Sequence, residues 1–336
     1  MRYLHFYSVL FLLSVCFLFV SITGCTSEAD GWMSNGRTAT IRLDIPVLKS
    51  ITRDVSTLDP EKTIHHLRVI IVSEGAKTIN QVFESADLKN GNITIENVPV
   101  GYVQMFVIAN EASLGRDYTD LQIFENDVDD QTKKILIKDA DHKFFPVRGS
   151  NFPEGGLPMS WMDKNLRINQ PADKPQEIEV NLVRSVAKLN ILMSNALTTD
   201  IIINEMSFGK FFSNSLYLFA ENYLDVPPDT DYETKKYSDV NITIKGGETK
   251  MLALYMYPSY AWTEPLMPSP YTIGFKTEVG KGYQETAFVN NYGALNSIAR
   301  NTQVNIYATL STEANVKIDF NVVDWTEKEI EVPSFN

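Results

Sequence analysis

The chain has 336 residues, with 42 acidic side chains against 30 Lys and Arg, a formal charge of −12 and 44% hydrophobic residues. An acidic chain with no cluster of Lys and Arg does not bind phosphate backbones, so nucleic acid is excluded as a partner. Its length is enough to bury an apolar core without covalent staples, most simply as two domains of about 150 residues each.

Residues 1–24 begin with Arg2, run apolar from Tyr3 to Val20 and close on small and polar residues, the plan of an export signal. No basic stop-transfer cluster follows, which argues against a transmembrane helix. The tetrad Ile22-Thr23-Gly24-Cys25 resembles the bacterial lipobox, which implies that Cys25 is acylated and becomes the new N-terminus. Removing residues 1–24 takes away Cys16 and Arg2 and no acid, so the charge moves from −12 to −13 and one cysteine is left. An internal disulfide is then impossible.

Residues 26–37 have no periodicity and form a tether. From Thr38 the pattern alternates: Ile41, Leu43, Ile45 and Val47 are separated by Arg42, Asp44 and Pro46, which predicts a half-buried strand over 38–48. A polar linker of about 15 residues follows, longer than a hairpin needs. "IHHLRVIIVSEG" then predicts a strand that turns apolar on both faces at Val69–Val72. The remaining segments, from "NITIENVPVG" and "GYVQMFVIANEA" to "TQVNIYATLS" and "VKIDFNVVDW", are short, rich in β-branched and aromatic residues and bounded by Gly, Pro, Asn or Asp. Only residues 117–128 carry helical spacing. These elements predict an all-β chain of two sandwiches, with a boundary in "RINQPADKPQE", residues 167–177.

Little in the chain points to chemistry. His65 and His66 are neighbours on a predicted strand and point to opposite faces, so they cannot chelate one ion, and His142 stands apart. No metal, cofactor or catalytic residue is assigned. With its one mature cysteine at the lipobox, a Cys/His nucleophile is excluded, and neither a G-x-S-x-G elbow nor a phosphate loop is present. The aromatic run "YMYPSYAW" at 255–262 serves either as core or as a platform for carbohydrate. "NIT" at Asn92 and Asn241 carries no glycosylation weight behind a bacterial export signal.

Taken together, the lipobox at Cys25, "IHHLRVIIVSEG", "NVPVGYVQMFVIANE" at 97–111, "GGLPMSW" at 155–161, "LVRSVAKLNI" at 182–191 and the ending "RNTQVNIYATL…VKIDFNVVDW" resemble the Bacteroidales fimbrillins, the type V pilins. The resemblance covers nearly the whole mature chain in the family's order. It implies two transthyretin-like β-sandwich domains in tandem and a surface fimbrial subunit with no catalysis of its own. The implied layout is a signal peptide at 1–24, a propeptide at 25–53, an N-terminal sandwich at 54–176 and a C-terminal one at 177–336. It also implies an outer-membrane lipoprotein precursor, an arginine-specific protease that frees the first strand, and other fimbrial subunits as partners in polymerisation and adhesion.

The residues suit that scheme. Cleavage between Arg53 and Asp54 falls in the polar linker and removes the strand of Ile41, Leu43, Ile45 and Val47. The rivals suit it less, since Arg42 lies within that strand and a cut at Arg37 would leave it in place. A donor strand is expected at the C-terminus, from Val316, Ile318, Phe320 and Val322 through Ile330, Val332 and Phe335. The alternatives are pairing of that strand within its own chain, a fimbrial anchor or tip that keeps its lipid, a lipid-anchored glycan-binding protein, and an extracellular hydrolase.

Overall fold

The structure, a computed structural model, describes residues 37–46, 60–73, 79–88, 91–115, 117–119, 134–136, 155–219, 226–264, 266–278, 280 and 282–325. The first half supplies β1 (Thr38–Asp44), β2 (His66–Val72), β3 (Ile79–Glu84), β4 (Asn92–Pro99), β5 (Gly101–Ala109), β6 (Lys134–Leu136), β7 (Met159–Ile168), β8 (Gln176–Glu179) and β9 (Val183–Arg184). The second supplies β10 (Ala187–Asn195), β11 (Ile201–Ser213), β12 (Ser215–Tyr217), β13 (Tyr232–Ile244), β14 (Thr249–Met256), β15 (Thr272–Thr277), β16 (Gly282–Ala287), β17 (Val289–Asn290), β18 (Gly293–Ala294), β19 (Thr302–Leu310) and β20 (Lys317–Asp324). The expected all-β class is the observed one. Among the described residues, short 3-10 segments lie at Pro60–Lys62 and Glu111–Leu114, and Pro46 is helical. Of the helix expected at 117–128, residues 117–119 are not helical and the rest fall outside the described residues.

Two sheets, one of order β4-β1-β8 and one of order β3-β2-β5-β7-β9, share a first apolar cluster that includes Ile41, Leu43, Ile70 and Phe106. Two further sheets, β14-β10-β19-β20 and β13-β11-β15-β16, share a second, around Ile191, Phe208, Tyr271 and Ile306. Val69–Val72 are buried throughout, as the unbroken apolar run required. One face of this sheet is covered by the segment after β12, where Phe219 meets Phe106 edge-on at 5.1 Å.

The sequence 177–191, expected to open the second sandwich, is divided between the two clusters. β8 pairs with β1, and Ile178, Val180 and Val186 belong to the first cluster, whereas Ala187 begins the second. Tyr255, Tyr257 and Trp325, from far along the chain, also lie in the first. Both cores share one arrangement around their opening strand. β1 is antiparallel to β4 and parallel to β8; β10 is antiparallel to β14 and parallel to β19.

Candidate strand-exchange site

Alternation of apolar and polar residues makes β1 a strand with one wet face, and Pro46, which has no N–H to give a ladder, marks its end. Ile41, Leu43 and Ile45 are fully buried and Ala39 nearly so, while Arg42 is exposed. The strand lies in the centre of its sheet. Leu43 is opposite Ile93 of β4 on one side and Ile178 of β8 on the other. Backbone bonds continue the ladder beyond the strand itself: the Val100 N–H donates to Arg37 O at 3.1 Å, the Ile45 N–H to Gly91 O at 3.0 Å and the Val180 N–H to Asp44 O at 2.8 Å. A bulge between Ala39 and Ile41, opposite Asn97 in the left-handed region, adjusts the twist.

At about 1.5 to 3 kcal/mol for each fully buried aliphatic side chain, Ile41, Leu43 and Ile45 represent a gross of roughly 5 to 9 kcal/mol. That equals the whole stability of an ordinary domain. The sequence showed the strand and its buried face but not its central position.

Of the other sequence-derived residues, Cys25, Val47, Arg53, Asp54, Ile330, Val332 and Phe335 lie outside the described residues. Arg37 donates to Gln170 Oε1 at 3.2 Å. The upstream part of the expected donor is placed within its own chain: β20 pairs antiparallel with β19, Ile306 facing Phe320 and Ala308 facing Ile318. Val316 is buried, Ile318 and Phe320 pack against the second cluster, and Val322 is 47% exposed. On the other edge of β20, Asn290 Nδ2 donates to Phe320 O at 3.0 Å.

A polar junction that sequence reasoning missed joins Glu61 to residues of the second half of the chain. Glu61, shortly after the 47–59 segment, accepts from Lys188 Nζ at 2.5 Å and Tyr255 OH at 2.6 Å through Oε1, and from Trp325 Nε1 at 3.0 Å through Oε2. Arg184 lies over the Trp325 ring at 4.5 Å and donates to Glu61 O at 3.3 Å. Burial pushes the Glu61 carboxyl up, but the hydrogen bonds from Lys188 and Tyr255 and the Lys188 charge outweigh it and hold it below the usual range. Nothing local announces this cluster, because Glu61 is more than 100 positions from each of its partners.

The remaining candidates have structural places. His66 is in β2, where its Nε2 accepts from the Glu111 N–H at 3.0 Å, while His65 precedes the strand and donates its N–H to Asn110 Oδ1 at 2.9 Å. Buried Arg68 forms a two-pronged pair with Glu111 at 2.6 and 2.7 Å. Tyr255 and Tyr257, at the start of the aromatic run, are buried in the first cluster, where burial raises the Tyr257 hydroxyl. The Trp262 Nε1 donates to Met267 O at 3.0 Å. Among the described residues no cluster of three His, Cys, Asp or Glu stands ready for a metal ion.

This architecture defines a class: a β-sandwich protein whose first strand completes a mixed sheet near the chain's start. Among solved structures the fold is similar to the C-terminally truncated tip fimbrial protein Mfa3 from Porphyromonas gingivalis, at 14% identity and TM-score 0.58, covering 86% of this chain and 99% of that one. It is similar to a candidate cell adhesion protein from Bacteroides eggerthii, at 13% identity and TM-score 0.54, covering 86% and 97%. The fimbrilin FimA from Porphyromonas gingivalis W83 shares it at 12% identity and TM-score 0.50, covering 86% and 98%. No curated protein matches the chain by sequence. The family model for the fimbrillin-A associated anchor proteins Mfa1 and Mfa2 matches residues 61–331, and the chain belongs to that family.

Proposed function

We propose that this chain is a subunit of a bacterial surface fimbria, a structural and adhesive protein with no catalysis of its own, built as two tandem sandwiches. It is exported as a lipoprotein acylated at Cys25 and held at the outer membrane until an arginine-specific protease cuts between Arg53 and Asp54. The cut removes residues 25–53, and with them β1. The place of Ile41, Leu43, Ile45 and Val47 is then taken by a strand of another subunit.

The observation that carries this reading is the central position of β1. Losing an edge strand would leave a sheet that is merely shorter. Losing β1 separates β4 from β8, and the gap offers hydrogen-bonding groups on both sides above an apolar floor. The chain's own contribution to a neighbour is its C-terminal segment, in which Ile330, Val332 and Phe335 continue from Val316, Ile318, Phe320 and Val322. Because β20 is engaged with β19, the part available to a neighbour begins beyond Trp325.

The family match supports a second reading, in which the chain is a fimbrial anchor that keeps both its lipid and β1. Mass spectrometry of protein sheared from the native cell surface separates the two. A mature N-terminus at Asp54 supports release by cleavage. Protein beginning only at acylated Cys25 refutes it and leaves the anchor.

A further inference from the structure

The floor of the β1 slot is apolar, but among the described residues its rim is charged, and almost entirely with one sign. The alternation that buries Ile41, Leu43, Ile93, Ile95 and Ile178 turns their neighbours outward. Arg42 is flanked by Thr94 of β4 and Glu177 of β8, and Asp44 by Asn92 and Glu179. Glu96 adds a further exposed acid on β4. Arg42 is the one cation among the outward positions of these three strands. Glu179 accepts from the neutral Asn181 amide at 2.9 Å, a bond that brings no cation to its carboxylate. Asp44 is the β1 residue opposite that carboxylate.

On the reading that β1 is replaced, its departure removes Arg42 and leaves Glu96, Glu177 and Glu179 around the gap. A strand that enters needs apolar side chains at alternate positions and cations between them. The chain's own C-terminal segment has the opposite pattern: Ile330 and Val332 alternate with Glu329 and Glu331, and Glu327 precedes them in the same phase. Seated on its apolar side, that segment would turn its acids toward Glu177 and Glu179 whichever way it ran.

We infer that the slot left by β1 selects a strand with Lys or Arg at the positions of residues 42 and 44, supplied by a different protein, and rejects the C-terminal segment of a second copy of this chain. Specificity then lies in the solvent-facing pairs and affinity in the buried ones. The chain would join two kinds of subunit rather than repeat itself.

The test uses the full chain without lipid, cut after Arg53, and fluorescent peptides of residues 38–48 as wild type, Arg42→Glu and Asp44→Lys, with a fourth of residues 326–336. Binding is followed by anisotropy. At low salt the Asp44→Lys peptide should bind about tenfold more tightly than wild type and the Arg42→Glu peptide about tenfold less, as expected for exchanging like and opposite cross-strand pairs. The 326–336 peptide should bind no better than the Arg42→Glu one. The differences should shrink in about 1 M salt, where charges are screened beyond about 3 Å. Glu177→Lys with Glu179→Lys in the full chain, both solvent-facing, should reverse the order. An order indifferent to salt and to those substitutions, or a 326–336 peptide as tight as Asp44→Lys, overturns the inference while leaving strand replacement intact. Failure of every peptide to bind overturns strand replacement itself.

Discussion

Leu43→Ala tests whether β1 is an integral strand of its sheet. Leu43 is fully buried between Ile93 and Ile178, on the strand that lies between β4 and β8. Truncation loses the transfer energy of the removed methyl groups and leaves a cavity that neighbours on both sides, themselves held in a sheet, cannot collapse to fill. The cost is therefore about 2 to 5 kcal/mol. At a urea slope of roughly 2 kcal/mol per molar, the unfolding midpoint of the uncut precursor falls by about 1 to 2.5 M. Thr40→Ala, on the same strand but not in the core, should move it by no more than about a quarter molar, since changes away from the core stay within about 0.5 kcal/mol. The assay is urea denaturation followed by circular dichroism, on uncut chains that all carry β1. Equal shifts for Leu43→Ala and Thr40→Ala would show that β1 is not seated in the core, and the basis for strand replacement would fall with it.

Glu61 should set part of the acid limb of stability. Its folded-state pKa is held below the ordinary carboxylate value, so its contribution is complete above the unfolded value and is lost as the pH falls through the folded one. Glu61→Gln should therefore flatten the loss of stability below about pH 4.5 and cost about 2 kcal/mol near neutrality, read from urea midpoints across pH. Trp325→Ala removes a ring stacked on Tyr255 at 5.8 Å and lying under Arg184, and should cost about 3 kcal/mol by the same measurement. Deletion of residues 327–336 should leave the unfolding midpoint unchanged and prevent the chain from donating to a neighbour, which electron microscopy of fimbriae checks. Gly156→Ala should cost at least about 2 kcal/mol, because φ is +76° and a Cβ would lie 2.5 Å from Asn110 Nδ2 and 2.8 Å from Thr63 O. Thermal unfolding reports it.

How much could be read from the sequence depended on how far apart the interacting residues lie. Alternation is local, so the strand from Thr38, its buried Ile41, Leu43 and Ile45, and the doubly buried run at Val69–Val72 were all visible. Pairing is not local. The partner that makes β1 central is β8, about 130 residues later, and parallel pairs leave no hairpin signature between them. The prolines and charges of 167–177 were a real interruption in the strand pattern. They mark the approach to β8, which returns to the first core before the chain leaves it at Val186. The Glu61 junction was invisible for the same reason. A lone glutamate in "PEK" reads as a solvated turn residue until Lys188, Tyr255 and Trp325 are brought around it.

The recurrence of one arrangement around β1 and β10 bears on the shape of anything this chain builds. Both strands sit between an antiparallel and a parallel neighbour, but β10 has strands before and after it in the chain and cannot leave without two cuts, whereas the one cut proposed at Arg53 detaches β1 from the rest of its sheet. On the proposed reading, assembly by strand replacement would give the subunit an acceptor valence of one. The mixed pairing also gives that acceptor a polarity, because a strand entering in reverse would meet an antiparallel ladder where β8 expects a parallel one and a parallel ladder where β4 expects the opposite. A unit with one polar acceptor and one tail can extend a line or end it, but it cannot branch.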